Sequence, residues 1–174
     1  LMVSTVVLCQ AEQMTMAACP DQCDCFNNDE TVDCSRRGLS RLPQLRNTTR
    51  RLYLEDNGLV VLDLRLRAAV ELTLLIAERN LIERINVTES RLQELNLGAN
   101  RIRAFHIEVR DTAGECEATG LKEINLSLNL LSEVPRNLSA FAPNLEILNL
   151  SYNEIESATL DESFAALVAL RYLD

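Results

Sequence analysis

An asparagine with aliphatic residues at fixed offsets recurs along the chain, and this recurrence restricts its folding more than any other feature. The frame is L-x-x-L-x-L-x-x-N-x-L, and it occurs five times in 174 residues. Thr49, Leu52, Leu54, Asn57 and Leu59 fill the first copy; Leu72, Leu75, Ala77, Asn80 and Ile82 the second; Leu92, Leu95, Leu97, Asn100 and Ile102 the third. The fourth holds Leu121, Ile124, Leu126, Asn129 and Leu131, and the fifth Leu145, Leu148, Leu150, Asn153 and Ile155. Successive asparagines stand 23, 20, 29 and 24 residues apart, which is the period of a repeat architecture. Thr49 and Ala77 occupy positions where a large aliphatic residue belongs. A sixth copy starts at Leu170 and Leu173.

The spacing has a direct physical reading. Within each copy apolar and polar residues alternate, as in Leu95-Asn96-Leu97, the period of a short strand with one buried face. After the asparagine the chain must turn back, and Leu62, Ile85, Phe105, Val134 and, more weakly, Ala158 return to the same core. Each copy is one coil that cannot cover its own leucines. Neighbours therefore stack, the strands form a parallel sheet, and each buried aliphatic side chain contributes about 1.5–3 kcal/mol. Where a coil bends inward, backbone groups lose their ladder partners, and a carboxamide offers both donor and acceptor to replace them. Asn57, Asn80, Asn100, Asn129 and Asn153 are thus expected to form an internal ladder. Phe141 and Phe164 are expected to stack on the outer side.

The cysteines add a second constraint. Residues 1–11 open with an apolar run, too short for a bilayer crossing of about 20 residues. They read as a clipped signal peptide cleaved before Glu12, or else as an apolar arm under the first repeat; residues 12–18 read as a linker. Cys19, Cys23, Cys25 and Cys34 then crowd into sixteen positions. Such a cluster holds either disulfides or a metal, and the exported context selects disulfides, with three pairings that spacing does not distinguish. Cys116 lacks a partner: it is a buried thiol, bonds a cysteine beyond Asp174, or links two copies into a covalent homodimer.

Cys19-Pro20-x-x-Cys23-x-Cys25, Val32-Asp33-Cys34 and Gly38-Leu39-x-x-Leu42-Pro43 together resemble the N-terminal cysteine cap of extracellular leucine-rich-repeat proteins. That group includes Slit-type guidance proteins, Toll-type receptor ectodomains and the small leucine-rich proteoglycans. The resemblance covers Cys19 to Asp174. It implies bridges from Cys19 to Cys25 and from Cys23 to Cys34. It also implies an α/β solenoid bent into a horseshoe, with short parallel strands on the concave side and loops, 3-10 turns or short helices on the convex side. The concave sheet would bind protein. The expected organisation is a cap over residues 19–48, five repeats over 49–169 and a truncated sixth over 170–174, the chain being a fragment that ends in mid-coil.

The exposed strand positions, Gly98 and Ala99 among them, carry mixed charge with two apolar islands. Tyr53 lies beside Ile76, and Leu128 beside Tyr152. Aromatic residues rimmed by arginine have the composition of interface hot spots, so Tyr53, Ile76, Arg79 and Tyr152 are the candidate partner-binding residues. Five N-x-[ST] sequons occur, of which Asn125 and Asn149 fall on the strand frame; Asn47, Asn86 and Asn137, expected off the strands, are the candidate glycan acceptors.

No chemistry stands out. The chain has one histidine, His106, which reads as packed or exposed rather than as a ligand, and five glycines that form no phosphate-cradling loop. Neither a catalytic residue, a metal site nor a cofactor is expected. A net charge of −9, no tryptophan and 4% aromatic residues disfavour nucleic acid, and no stretch of this chain is long enough to span a membrane. Three function classes remain: an extracellular recognition module, meaning a receptor ectodomain or a secreted immune, adhesion or guidance factor; a matrix component of the small-proteoglycan type; and an enzyme inhibitor. In each case a protein ligand or receptor is the partner, and the place is outside the cell or on the extracellular face of the plasma membrane.

Overall fold

Three-residue strands with a buried middle side chain, Leu52, Leu75, Leu95, Ile124 and Leu148 in turn, repeat at the predicted places. The computed structural model describes residues 19–63, 71–86, 91–105, 120–136, 138–156 and 162–174, the side chains of Asn86, Glu162 and Ser163 excepted. The signal and linker readings of residues 1–18, His106, Cys116, Asn137 and Ala158 lie outside these residues. Strands β1 (Asp24–Phe26) and β2 (Thr31–Asp33) form an antiparallel hairpin at one end. From β2 the sheet continues in parallel through β3 (Arg51–Tyr53), β5 (Leu74–Ile76), β7 (Glu94–Asn96), β8 (Glu123–Asn125), β9 (Ile147–Asn149) and β10 (Tyr172–Leu173), eight strands in all. This is the leucine-rich solenoid that the repeat frame implies.

Packing follows from the frame. Leu52, Leu75, Leu95, Ile124 and Leu148 are aligned strand to strand, and each is fully buried. Thr49 fits a leucine position because its hydroxyl faces the Asp29 carbonyl at 3.4 Å while the residue is wholly buried. Ala77 is equally buried, in line between Leu54 and Leu97. Leu62, Phe105 and Val134 return to the core from the outer side, and Ile85 packs against it.

The five asparagines form one continuous device. Asn100 Nδ2 donates to the carbonyls of Ala77, Leu97 and Gly98 at 3.0, 3.0 and 3.1 Å, and its Oδ1 accepts the Ile82 N–H at 3.0 Å. Asn80 does the same with Leu54, Ala77, Glu78 and Leu59, and Asn129 with Leu97, Leu126, Ser127 and Ile102. Asn153 reaches Leu126, Leu150 and Ser151 and accepts from Leu131. At the cap, Asn57 Nδ2 reaches the Cys34, Leu54 and Glu55 carbonyls, and its Oδ1 receives the N–H groups of Arg37 and Leu39. Every carboxamide ties its own coil to the one before it.

Disulfides join Cys19 to Cys25 and Cys23 to Cys34, the pairing that the cap resemblance implies. Cys34 is fully buried, so the second bridge fixes the hairpin onto the first turn of the core. Cross-linking of this kind stabilises chiefly by restricting the unfolded chain.

The outer side departs from expectation in one respect. Besides two short helices, α1 (Leu138–Phe141) and α2 (Glu162–Ala165), it carries strands. β4 (Val61–Asp63) pairs in parallel with β6 (Arg84–Asn86). The stretches after Asn57 and Asn80 keep the same alternation, with Leu62 opposite Ile85, and remain extended long enough to pair. Asn86 therefore ends a strand instead of lying off the strands. Phe141 is buried in α1, which packs against α2, where Phe164 lies partly buried against the core.

Truncating a central spoke should be costly, because the neighbouring coils hold the walls of the resulting cavity in place. Leu97→Ala is expected to lower unfolding stability by roughly 2–5 kcal/mol in a denaturant titration; a loss below about 0.5 kcal/mol, the range of ordinary surface substitutions, would contradict its place in the core.

Candidate protein-docking face

Because β-strand side chains alternate, the first and third residues of each strand point away from the core and line up across the sheet. One row runs Arg51, Leu74, Glu94, Glu123, Ile147, and the other Tyr53, Ile76, Asn96, Asn125, Asn149. All but Arg51, which is exposed, are half-buried.

The second row contains a feature the sequence reading passed over. Asn125 Nδ2 donates to Asn96 Oδ1 at 3.0 Å, and Asn96 reaches Glu78 Oε2 at 3.4 Å. Asn96, Asn125 and Asn149 each accept the N–H two residues on, from Gly98, Ser127 and Ser151, at 3.0 Å. A recurring Asn-Leu-(Gly/Ser) triplet is its signal in sequence. Gly98, expected on the open face, is buried: a Cβ there would stand 3.2 Å from Asn125 Nδ2 and 3.3 Å from Asn96 Oδ1 and the Glu78 side chain. The two on-strand sequons are thus built into the face itself.

A third row borders the face. The residue before each ladder asparagine, Asp56, Arg79, Ala99, Leu128 or Tyr152, has a left-handed backbone with φ between 52° and 56°. That conformation is uncommon outside glycine, and here the two ladder bonds on either side hold it. It turns the side chain outward, which explains why Leu128 is 54% exposed and Tyr152 80%.

The four candidate residues are therefore divided between rows. Tyr53 and Ile76 stand opposite each other on the sheet, whereas Arg79 and Tyr152 lie three coils apart on the left-handed border. Arg79 is engaged within the chain: its Nε meets Asp56 Oδ1 at 2.7 Å and its Nη1 meets Glu78 Oε1 at 3.1 Å. Arg36 Nε approaches the other Asp56 oxygen at 3.3 Å. Among ligand-type groups of the described residues, Cys19, Cys25 and Asp29 come together, but the two sulfurs are bonded to each other and Asp29 pairs with Arg46 at 2.6 Å.

A family profile described as "Leucine rich repeat" matches residues 119–174. Residues 119–174 are leucine-rich repeats by this match, and the same frame fills the coils before them. It is 26% identical to keratocan of Danio rerio over 157 residues, covering 84% of this chain and 42% of that protein. It is 31% identical to human oligodendrocyte-myelin glycoprotein over 142 residues, covering 80% and 31%. Among solved structures, human trophoblast glycoprotein (5T4, Wnt-activated inhibitory factor 1) superposes with a TM-score of 0.68 at 24% identity, over 92% of this chain and 63% of the other. FLRT2, in its octameric complex with latrophilin 3 and Unc5D, gives 0.58 at 21%, over 88% and 53%. The chain spans less than half the length of these curated relatives.

Asp56 on the border of the face and Glu94 at its centre carry opposite electrostatic bias. The hydrogen bond from Arg79, with Arg36 adding to it, holds the Asp56 carboxyl below its ordinary range. Asp56 therefore stabilises the fold above the unfolded value near 3.8, and the contribution is lost as pH falls through the lowered native value. Glu94 is the reverse case. Burial, and then the facing Glu123, push its carboxyl up, and no basic side chain among the described residues pairs with either. A raised native pKa gives stability that is present below the unfolded value of about 4.5 and lost as pH rises through the native value. Glu94→Gln should accordingly raise the thermal midpoint at pH 7, with the gain disappearing below about pH 4. A variant less stable than the parent at pH 7 would contradict the assignment.

Proposed function

We propose that the chain is an extracellular protein-recognition module, without chemistry of its own, that docks a protein ligand or receptor on the concave sheet. One observation carries this reading: Tyr53 and Ile76, an aromatic and a branched aliphatic side chain, stand side by side and half-exposed on a sheet whose other outward positions are mainly polar. Apolar anchors set in a polar rim are what interfaces concentrate their energy on. Arg79, held by Asp56 and Glu78, is a rigid rim for that anchor, and Tyr152 with Leu128 is a second contact at the far border.

The two disulfides support a place outside the reducing cytosol, in secreted form or at the outer cell surface. Among the described residues no helix is long and apolar enough to cross a membrane. Asn47, which lies exposed in a turn at the end of the cap, is the glycan acceptor that best fits this reading, with Asn86 and Asn137 as further acceptors; a sugar on Asn47 leaves the concave rows open. The complex of FLRT2 with latrophilin 3 and Unc5D offers a parallel for docking by the same architecture.

Tyr53 and Ile76 are only half-buried, so their polar replacement should leave the fold intact. A Tyr53→Ser/Ile76→Ser double variant, used as a tetrameric probe on an array of extracellular proteins, is expected to lose the partners bound by the parent while keeping its thermal midpoint. An unchanged binding profile would discard this site.

A further inference from the structure

The row that carries Glu94 has a pattern of its own. Leu74, Glu94, Glu123 and Ile147 face outward from four successive parallel strands, in register, so two carboxylates are flanked on both sides by aliphatic side chains. All four are half-exposed. Other acids near the face are matched within the chain: Glu146 pairs with Lys122 and Arg171, Asp56 with Arg36 and Arg79, and Glu55 accepts a bond from Ser35. Among the described residues, Glu94 and Glu123 face each other with no such match. The centre of the row thus has no cation among those residues, and its aliphatic flanks stay half-exposed.

Spacing defines what supplies a cation and covers the flanks. Strands in a sheet stand about 4.8 Å apart, so the midpoint between the carboxylates lies about 7 Å from Leu74 on one side and from Ile147 on the other. In an extended peptide, residues two apart on the same face are separated by about 6.8 Å. Resting on the docking role proposed above, we infer that this row receives an extended segment of the partner, laid across the strands, with a lysine or arginine over Glu94 and Glu123 and an apolar residue two positions to either side of it. Arginine suits the centre better. Its planar fork spans two carboxylate oxygens and sheds water more readily than an ammonium group. A cation there would also offset the burial, and with it the Glu123 repulsion, that hold the Glu94 carboxyl above its ordinary range.

Affinity selection of a random linear heptapeptide phage library on the full chain, in buffer containing EDTA, tests this. Recovered sequences are expected to carry Lys or Arg with apolar residues two positions before and after it, and a synthetic consensus peptide should bind about tenfold or more tightly than its counterpart with glutamine at the centre. That advantage should vanish on a folded Glu94→Gln/Glu123→Gln variant and persist on Tyr53→Ser/Ile76→Ser. Recovered sequences without a basic centre, or recognition that appears only with added calcium, would overturn the inference. If those sequences were still lost on Tyr53→Ser/Ile76→Ser, the docking face would stand without its acidic centre. Recovery insensitive to both variants would remove the docking role as well.

Discussion

Coils that stack edge to edge leave backbone N–H and C=O groups inside wherever the chain turns out of a strand, and an unpaired buried polar group costs about 1–3 kcal/mol. The ladder of Asn57, Asn80, Asn100, Asn129 and Asn153 removes that cost at every coil by the same set of bonds. Glutamine is a methylene too long for a site bounded by three carbonyls and one N–H, and aspartate brings no donor. This requirement sets the register of the whole sheet. Once each asparagine is fixed, the leucines on either side can only fall on top of their counterparts, and hydrophobic burial follows in line.

The same constraint shapes the exterior. Holding the asparagine inward obliges the preceding residue to adopt a left-handed backbone, and this throws Leu128 and Tyr152 into solvent while aligning Asp56 with Arg36 and Arg79. It also fixes the outward rows, so that Tyr53 meets Ile76 and Glu94 meets Glu123. The docking face and its bordering row are thus by-products of how the core is satisfied. A substitution at an exposed position leaves the rows intact, whereas one in the ladder displaces them together.

Much of this was legible in the sequence, because the frame is local and strictly spaced. The leucine spokes, the inward asparagines and the strand positions follow from periodicity, while the cysteine pairing required the resemblance to a known cap, since spacing leaves three pairings open. What periodicity misses is contact between coils. Arg79 reads as an exposed hot-spot residue, yet Asp56 of the preceding coil captures it. Gly98 reads as outward-facing, yet Asn96 and Asn125 close over it. The pairing of β4 with β6 depends on two outer stretches staying extended side by side, and single-chain patterning reports only one stretch at a time. Similarly, Asn125 and Asn149 look like sequons until the Asn-Leu-(Gly/Ser) recurrence is seen to build a second carboxamide row.

Amide hydrogen exchange at Ile82 tests the central role of the ladder most directly, since its N–H is received by Asn100 from the next coil. In an Asn100→Leu variant, which keeps the size of the side chain but not its polar atoms, Ile82 should lose its protection and global stability should fall by about 1–3 kcal/mol. Protection of Ile82 and stability both equal to those of the parent would contradict the account.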